Sequence, residues 1–249
     1  MDLQGKVAII TGASKGIGKA IAYAMGKTGA KVVVSSRKQE AVEEVAKEFQ
    51  AEGIEAVGLA CNVGNTEEIP DFLEKVIEAY GAIDILVNNA GTSLHFGPIL
   101  DIQEWQYDKT FDVNLKGPFE LSRQVHPFMK TRGGGAIINI ASVEGQTPSH
   151  GLGVYSVTKA SIIMLSKVCA QEWGVDGIRV NSICPGFIKT KLSKTMLENE
   201  QIYKMIMSKQ AIKYDGKPED IAGLSVLLAS EAGAFITGST FTADGGLTI

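Results

Sequence analysis

The sequence predicts a doubly wound α/β fold, in which a parallel β-sheet carries helices on both faces. Two observations lead to this prediction. Short apolar runs alternate with helical patterns along the whole chain, an order typical of parallel strands joined by right-handed helical crossovers. The first run, from Val7 to Ile10, is apolar at every position, as expected of a strand buried on both faces. Ligands of such folds bind at the carboxyl ends of the strands, so a site is expected along that edge.

The first half of the chain alternates strictly between the two element types. Strands are predicted at residues 7–10, 32–34, 56–59 and 83–87, and helices at residues 17–27, 39–51 and 66–80. Val45 and Phe49 belong to an apolar stripe that makes the second helix amphipathic. Gly29, Gly53 and Gly81 follow the helices, and glycine is the common residue just beyond a helix C-terminus.

The second half keeps the same alternation. Strands are predicted at residues 136–140, 179–183 and 239–243, and helices at residues 102–113, 119–131, 155–173 and 218–230. Three consecutive glycines, Gly133 to Gly135, turn the chain into the fifth strand. The chain contains no linker, repeat or low-complexity tract. We therefore expect one domain over residues 1–249 with a seven-stranded parallel sheet.

The composition argues against several functional classes. The net charge of −4 and the lack of a basic patch make nucleic acids and anionic membranes poor candidate partners. No apolar run reaches the roughly 18 residues of a membrane span, and the chain begins directly with a strand, which predicts no secretory signal. Cys61, Cys169 and Cys184 show neither metal-ligand spacing nor a disulfide framework. We expect buried free thiols, no metal site and a cytoplasmic protein.

A glycine-rich segment joins the first strand to the first helix. It reads Thr11-Gly12-Ala13-Ser14-Lys15-Gly16-Ile17-Gly18. Glycines at this position let the backbone approach a pyrophosphate, and the helix N-terminus adds amide donors and partial positive charge. The alternative is a plain turn, but the place between a buried strand and an Ala-rich helix favours a Rossmann-type dinucleotide site.

The end of the second strand distinguishes between the two nicotinamide dinucleotides. An acid about 20 residues after the glycines would hold the ribose 2′-hydroxyl of NAD. This sequence has Ser36-Arg37-Lys38 there, and no acid occurs before Glu40. Arg37 can bind a 2′-phosphate with both edges of its guanidinium, and Lys15 of the loop adds a second cation. Solvated side chains are the alternative, but the sequence favours NADP(H).

A serine, a tyrosine and a lysine mark the expected catalytic region. Ser142 follows the fifth strand, and Tyr155 and Lys159 come four residues apart after a loop rich in Gly, Pro and Ser. Positions i and i+4 share one helix face. A nearby ammonium favours the phenolate, so we expect Lys159 to lower the pKa of Tyr155 toward the range of efficient acid–base catalysis. The same spacing recurs at Tyr23 and Lys27, which we interpret as helix surface.

Jointly these motifs resemble the short-chain dehydrogenase/reductase family, over residues 6–246. The glycine pattern of the family is met by the loop ending at Gly18, and a second family motif by Asn88-Asn89-Ala90-Gly91. The family's proline–glycine pair falls on Pro185-Gly186, and the threonine that meets the nicotinamide amide falls on Thr190. One position departs: Asn62-Val63 replaces the usual Asp-Val, although asparagine can still bond the adenine edge.

The resemblance implies an NADP(H)-dependent oxidoreductase that interconverts a carbonyl and an alcohol by hydride transfer. It implies that Tyr155 is the acid/base, that Lys159 lowers its pKa and bonds the nicotinamide ribose, that Ser142 orients the substrate oxygen, and that Asn114 holds a relay water. It also implies the strand order 3-2-1-4-5-6-7 and a homotetramer or homodimer. The residues expected to bind the cofactor are Gly12, Ser14, Lys15, Gly16, Ile17, Gly18, Ser36, Arg37, Lys38, Asn62, Val63, Asn89, Ala90, Gly91, Tyr155, Lys159, Pro185, Gly186, Ile188 and Thr190.

The sequence leaves the substrate open. Residues 91–96, 143–152 and 187–212 should cover the pocket. Residues 187–212 form either an apolar lid or a helix pair packed on the domain, and their apolar side chains include Leu192, Met196, Leu197, Ile202, Met205 and Ile206. His95, Glu144 and His150 are candidates for contact with substrate, whereas His126 is interpreted as structural.

Several activities remain alternatives to a carbonyl reductase acting on a small molecule. They are a 3-oxoacyl-[acyl-carrier-protein] reductase and a sugar or polyol dehydrogenase. An acidic carrier protein would need a basic docking face, for which Lys130 and Arg132 are the weak candidates. A non-catalytic dinucleotide-binding protein is disfavoured, because all four catalytic residue types are present. An epimerase would need a further substrate domain, for which 249 residues leave no space.

Overall fold

Seven parallel strands form one sheet in the computed structural model, which describes residues 1–190 and 199–249. The strands are β1 (Val7–Thr11), β2 (Lys31–Ser36), β3 (Ala56–Ala60), β4 (Ile85–Asn88), β5 (Gly135–Ile140), β6 (Ile178–Pro185) and β7 (Thr240–Ala243). Their order is β3-β2-β1-β4-β5-β6-β7, which confirms the predicted fold class and strand order. The order reverses between β1 and β4, and such a reversal opens a crevice at the carboxyl ends of the two strands.

Helices cover both faces of the sheet. They are α1 (Gly16–Lys27), α2 (Gln39–Ala51), α3 (Ile69–Tyr80), α4 (Glu104–Phe111), α5 (Gly117–Thr131), α6 (Gly153–Trp173), α7 (Glu200–Lys209) and α8 (Glu219–Ala229). Side chains of β1 alternate between two cores: Ala8 and Ile10 pack with α1, α2 and α8, while Val7 and Ile9 pack with α3 and α5. This alternation is the period of a strand buried on both faces.

The predicted elements agree with the structure except at some ends and in one segment. The third helix begins at Ile69, because residues Thr66–Glu68 form a separate 3₁₀ turn and Pro70 follows at the first helical positions. Helix α7 lies in the segment predicted as a lid or a helix pair, and its Ile202 and Ile206 are half-buried. Leu192, Met196 and Leu197 lie outside the described residues.

A chain of buried polar side chains crosses the middle of the sheet. Asn88 on β4 donates through Nδ2 to the Ser122 hydroxyl of α5 (3.0 Å) and to Asn139 Oδ1 on β5 (2.8 Å). Asn139 donates to Ser166 of α6 (2.8 Å), and Ser182 of β6 donates to the same hydroxyl (2.8 Å). Buried polar groups must find partners, so these bonds set where α5 and α6 rest on the sheet.

Two further expectations concern the interior and the membrane. Cys61, Cys169 and Cys184 are buried and free, which confirms the prediction for the thiols. Over residues 1–190 and 199–249, no helix combines the length and the apolar character that a membrane crossing requires. The same residues hold no group of three His, Cys, Asp or Glu side chains arranged around a possible metal ion.

Candidate active site

The residues that the sequence indicated for cofactor and catalysis lie along the carboxyl edge of the sheet. They occur after the strands as follows: Gly12 to Gly18 after β1, Ser36 to Lys38 at the end of β2, Asn62 and Val63 after β3, Asn89 to Gly91 after β4, Ser142 after β5, and Gly186 to Thr190 after β6. Tyr155 and Lys159 come from α6, and Asn114 from the junction of α4 and α5. The fold therefore brings them all to one edge.

The loop between β1 and α1 requires its glycines. Gly12 and Gly16 adopt φ values of +64° and +59°, a left-handed conformation that favours glycine. A Cβ on Gly18 would lie 2.4 Å from Asn89 Nδ2 and 2.7 Å from the Gly12 carbonyl oxygen. A side chain there would push the loop away from β4, so Gly18 permits the close approach of the two segments.

Thr11 and Asn89 fasten this loop to the end of β4. The Thr11 hydroxyl accepts from the backbone amides of Asn89 and Ala90, both at 3.0 Å, and donates to the Val87 carbonyl at 3.3 Å. Asn89 Nδ2 donates in turn to the Thr11 carbonyl at 2.8 Å. These bonds hold the crevice between β1 and β4 in one shape.

The N-terminus of α1 fits a bound pyrophosphate. Its N-cap residue is Lys15, which has extended backbone and provides no side-chain cap. The first amides of a helix have no partner within the helix, and together with the helix dipole they favour an anion. With a glycine backbone around them, these groups match the diphosphate of a nicotinamide dinucleotide.

The end of β2 lies directly beside the same loop. The Ala13 amide donates to the Ser35 carbonyl at 2.9 Å. Arg37 and Lys38, which directly follow β2, are exposed. Neither side chain makes an ion pair with any of the described residues. Two cations next to the glycine loop fit a ligand that carries a further phosphate on the adenine ribose.

The segment after β6 returns to the glycine loop. Gly186 donates its amide to the Ala243 carbonyl at 3.0 Å, and a Cβ on Gly186 would meet Asp244 at 2.5 Å. A Cβ on Gly16 would lie 3.5 Å from Thr190 Cγ2, so Thr190 covers the start of α1. Ile188 forms a parallel bridge with Gly216, which anchors this cover from the other side.

Ser142, Tyr155 and Lys159 meet where β5 ends and α6 begins. Tyr155 is in the first turn of α6, and the Ser142 hydroxyl lies close enough to its phenol to lower the pKa of Tyr155. The buried Lys159 ammonium donates to the Ile140 carbonyl at 2.7 Å and lies 5.6 Å from the centroid of the Tyr155 ring. Gly145 allows the turn after Ser142 to approach α6 closely, because a Cβ there would lie 2.5 Å from the Lys159 backbone.

The pKa of Tyr155 differs from the prediction. Burial is the largest cause and raises the pKa of Tyr155 to about 12, whereas the nearby Ser142 hydroxyl lowers it. Burial also lowers the pKa of Lys159 to about 8. The expectation that Lys159 lowers the pKa of the phenol is wrong for the chain by itself. Loss of water disfavours both charged forms, and the ammonium is directed to a backbone carbonyl.

Asn114 lies in a π-helical turn that the sequence prediction missed. The turn covers Asp112–Lys116, and the Gly117 amide bonds to the Asp112 carbonyl five residues back. Pro118 has no N–H, so the usual α-helical bond to the Asn114 carbonyl cannot form. Such a bulge is typical of functional positions, and Pro118 was the sequence signal that could have indicated it.

The Asn114 side chain is held between the segment after β4 and α6. Its Nδ2 donates to the Thr92 carbonyl (2.8 Å) and to the Thr158 hydroxyl (3.1 Å), and its Oδ1 accepts from the Thr92 amide (2.8 Å). A Cβ on Gly91 would lie 3.6 Å from Asn114 Oδ1 and 3.5 Å from Lys159 Nζ. Thr92 and Thr158 were not indicated by the sequence analysis, since their roles arise only from this packing.

Two of the three polar residues suggested for substrate contact, His95 and Glu144, have other partners. His95 bonds through Nε2 to the Pro98 carbonyl within its own loop (2.9 Å), and His150 is exposed. Glu144 accepts hydrogen bonds from Ser149 and Ser156.

The remaining candidates lie at the opposite, amino edge of the sheet. His126 bonds to Asp176 (3.0 Å), so its structural interpretation is confirmed. Lys130 pairs with the same aspartate (2.9 Å) and Arg132 with Asp84 (3.2 Å). Acids therefore pair with both cations that were suggested as a docking face for an acidic carrier protein, and neither cation is near the catalytic residues.

Comparisons with known proteins agree with this geometry. The chain matches the family model described as Enoyl-(Acyl carrier protein) reductase over residues 12–248. It is 40% identical over 244 residues to Dehydrogenase/reductase SDR family member 4 of Oryctolagus cuniculus, covering 98% of this chain and 94% of that relative.

Solved structures show the same similarity. The structure of a short-chain type dehydrogenase/reductase from Mycobacterium marinum superposes with a TM-score of 0.93 at 35% identity, over 99% of this chain and 97% of the other. A gluconate 5-dehydrogenase from Burkholderia cenocepacia, solved in complex with NADP and tartrate, gives a TM-score of 0.96 at 31% identity, over 99% and 96%.

Proposed function

Since the chain belongs to the short-chain dehydrogenase/reductase family, we propose that it is an NADP(H)-dependent enzyme that interconverts a ketone or aldehyde and the corresponding alcohol. The observation that carries the proposal is that Ser142 and Tyr155 lie together beside a buried Lys159, at the same edge as the glycine loop. Two hydroxyls that face one space can bind a single carbonyl oxygen.

The cofactor would be held by the loops described above. The glycine loop and the N-terminus of α1 take the diphosphate, Arg37 and Lys38 take the 2′-phosphate, and Thr190 covers the nicotinamide end. A nicotinamide dinucleotide supplies or accepts the hydride when it is bound. The solved relative that contains NADP supports this choice of cofactor.

Tyr155 acts as the proton donor in reduction. Its pKa of about 12 keeps the phenol protonated at neutral pH, so a proton is available for the oxygen that becomes the alcohol. The Ser142 oxygen accepts from the Glu144 amide at 3.2 Å, which leaves the serine O–H free to donate toward the same substrate oxygen. The two donors orient and polarise the carbonyl.

Lys159 and Asn114 support the proton transfer. The ammonium has three N–H groups, one of which bonds to Ile140, so the others can serve the cofactor ribose and the phenolate that forms during reduction. Burial makes that phenolate costly, and the adjacent cation offsets the cost as the charge develops. The Asn114 carbonyl, which Pro118 cannot bond, is positioned for a water that returns the proton.

The first test replaces the phenol. Tyr155→Phe should lower kcat for carbonyl reduction by a factor of about 10² to 10⁴, the usual contribution of general acid catalysis. The affinity for NADPH should change by less than about threefold, because Phe retains the ring. NADPH absorbance measures turnover with diacetyl, acetophenone and ethyl acetoacetate, and Tyr23→Phe is the matched control on α1. Full turnover by Tyr155→Phe would remove the proposed mechanism.

A second test addresses the cofactor. Arg37→Asp should move the preference from NADPH toward NADH by a factor of about 10 to 100, because each lost charge-assisted contact costs about 1.5–3 kcal/mol. The ratio of kcat/KM for the two cofactors is the measurement. Lys27→Asp, on the surface of α1, should leave that ratio unchanged. An unchanged ratio in Arg37→Asp as well would refute the assignment of NADP(H).

Oxidation of a sugar acid or polyol is the second candidate function. It is favoured by the close superposition on a gluconate 5-dehydrogenase. Reduction of NADP in the presence of gluconate, compared with oxidation of NADPH in the presence of diacetyl, separates the two. A carrier-protein substrate has less support, because Lys130 and Arg132 are paired with acids.

We also propose that the enzyme is a homo-oligomer, a tetramer or a dimer. Val157, Met164 and Val168 are exposed along α6, and Phe119 is exposed on the neighbouring α5. Large apolar side chains that share a helix face are typical of protein interfaces. Light scattering after gel filtration would test this, and a monomer at micromolar concentration would contradict it.

A further inference from the structure

The Glu144 carboxylate accepts three hydrogen bonds and has no role in the mechanism proposed above. It lies in the 3₁₀ turn that follows Ser142. Its Oε1 accepts from the Ser149 hydroxyl at 2.6 Å, and its Oε2 accepts from the Ser149 amide at 2.8 Å and from the Ser156 hydroxyl at 3.0 Å. An ionised carboxylate suits this arrangement, because it only accepts and both of its oxygens are used.

The three donors belong to two separate parts of the site. Ser149 is in the loop of residues 146–152, and Ser156 follows Tyr155 in α6. The loop is tied further to the segment after β4, since the Gly97 amide donates to the Gly151 carbonyl at 3.0 Å. Through Glu144, the loop is thus connected to the helical turn that carries Tyr155.

The same residue contacts Ser142 through its backbone. The Glu144 amide donates to the Ser142 oxygen at 3.2 Å, which directs the serine proton outward. The backbone of Glu144 therefore bonds to Ser142, and its side chain bonds to Ser156, the residue after Tyr155. A change in the carboxylate would shift the loop and the start of α6 relative to Ser142.

The carboxylate also places negative charge near the Tyr155 phenol. Glu144 and the Cys184 thiol raise the pKa of Tyr155, in addition to the larger effect of burial, and the Ser142 hydroxyl lowers it. Lys159 is the cation packed on the same ring. None of the described residues forms an ion pair with Glu144. Its charge instead faces the N-terminal turn of α6, where the helix dipole favours an anion.

We propose that Glu144 is a positioning residue of this active site, whose carboxylate fastens the loop of residues 146–152 to the first turn of α6 and places a fixed negative charge beside the catalytic tyrosine. The inference rests on the proposed function, because it assumes that Tyr155 donates the proton. It assigns Glu144 two separable effects: the connection sets how well substrate binds under the loop, and the charge keeps the phenol in its acid form.

Three variants separate the two effects. Glu144→Gln keeps the shape and removes the charge, Glu144→Ala removes both, and Ser149→Ala removes one donor of the loop and keeps the charge. Glu52→Gln is the matched control, because Glu52 bonds to Tyr23 and Lys27 on the surface of the other Tyr-x-x-x-Lys pair. Each protein is assayed for kcat and KM with diacetyl and NADPH from about pH 6 to about pH 12, because the pKa of Tyr155 is about 12. Its NADPH affinity and melting temperature are also measured.

The expected results differ among the variants. Ser149→Ala should raise the KM for diacetyl about three- to tenfold without moving the pH profile of kcat. Glu144→Gln should move the basic limb of that profile down by about half a unit to one unit, because loss of a nearby negative charge makes the phenol more acidic. Glu144→Ala should show both changes, and Glu52→Gln neither. NADPH affinity should stay within about twofold throughout.

The outcomes that overturn the inference are distinct from those that overturn the function. If wild type is active and Tyr155→Phe is not, but Glu144→Gln keeps the wild-type pH profile and Ser149→Ala the wild-type KM, Glu144 has no positioning role. A lower melting temperature with an equal loss of kcat at every pH would make Glu144 merely structural and would also overturn it. If wild type shows no turnover with any carbonyl or alcohol, the proposed function itself fails. Should Glu144→Ala not fold, the Gln and Ser149 variants still decide.

Discussion

Helices α1 and α6 each carry a tyrosine and a lysine four residues apart. The ammonium of Lys27 lies 5.3 Å from the centroid of the Tyr23 ring, and that of Lys159 lies 5.6 Å from the centroid of the Tyr155 ring. A glutamate accompanies each pair: Glu52 bonds to Tyr23 at 2.6 Å, and Glu144 lies near Tyr155. The local geometry of the two pairs is therefore almost the same.

Their surroundings differ completely. Lys27 forms an exposed ion pair with Glu52 at 3.0 Å, and the hydrogen bond to that carboxylate raises the pKa of Lys27. Lys159 is buried and bonds to a neutral carbonyl, and burial lowers its pKa to about 8. Helix spacing brings a phenol and an ammonium together in both places, but only exclusion of water perturbs the lysine in this direction. Exposed ion pairs of the first kind contribute little.

The two pairs should differ most in their response to removal of the ammonium group. Lys159→Met should lower kcat by a factor of about 10² to 10³, because the developing phenolate loses its cation in a buried site. Lys27→Met should leave kcat within about twofold. Both variants keep a side chain of similar length. Equal effects on NADPH-dependent turnover would show that burial does not distinguish the pairs.

A smaller effect should be visible in stability against pH. The folded pKa of Lys159 is about 8, below its unfolded value of about 10.4, so the unfolded chain binds more protons between these values. Burial of the charged form therefore destabilises the fold fully below about pH 8, and the penalty is relieved as the pH rises toward about 10.4.

The measurement compares wild type with Lys159→Met in chemical denaturation. Between about pH 7.5 and about pH 9.5, wild type should gain about 2 kcal/mol of unfolding free energy relative to the variant. The Lys27→Met variant should show no such gain, since the pKa of Lys27 is shifted in the opposite direction. A flat difference for Lys159→Met would mean that the ammonium is better hydrated than its burial indicates.

The carboxyl edge of the sheet was predictable because each of its motifs follows a strand. Glycines after β1, Asn89 to Gly91 after β4, and Ser142 after β5 could be assigned from order alone, since parallel strands bring their carboxyl ends together. The direction of the pKa shift of Tyr155 could not be predicted in this way. It depends on how much water surrounds the phenol, which is set by distant segments of the chain.

The partners of two charged residues could not be predicted for the same reason. Glu144 was a candidate for substrate contact, and Arg132 a candidate for a docking face, because sequence shows a charge without its partner. The structure supplies the partners, Ser149 and Ser156 for Glu144 and Asp84 for Arg132. The π-helical turn at Asn114 was missed for a different reason: a proline near a helix start is also compatible with a regular helix, so Pro118 indicates the turn without proving it.

Three features could be predicted from the amino-acid sequence: the alternation of strands and helices, the motifs at the strand ends, and the residues that can exchange a proton or hold a phosphate. These follow from side-chain periodicity and from backbone freedom at glycine, both of which act over a few residues. The tertiary structure was needed to show how burial shifts the pKa values of Tyr155 and Lys159, which loop the Glu144 carboxylate binds, and which cations pair with acids. The physical reason is that burial and charge pairing depend on segments far apart in the chain.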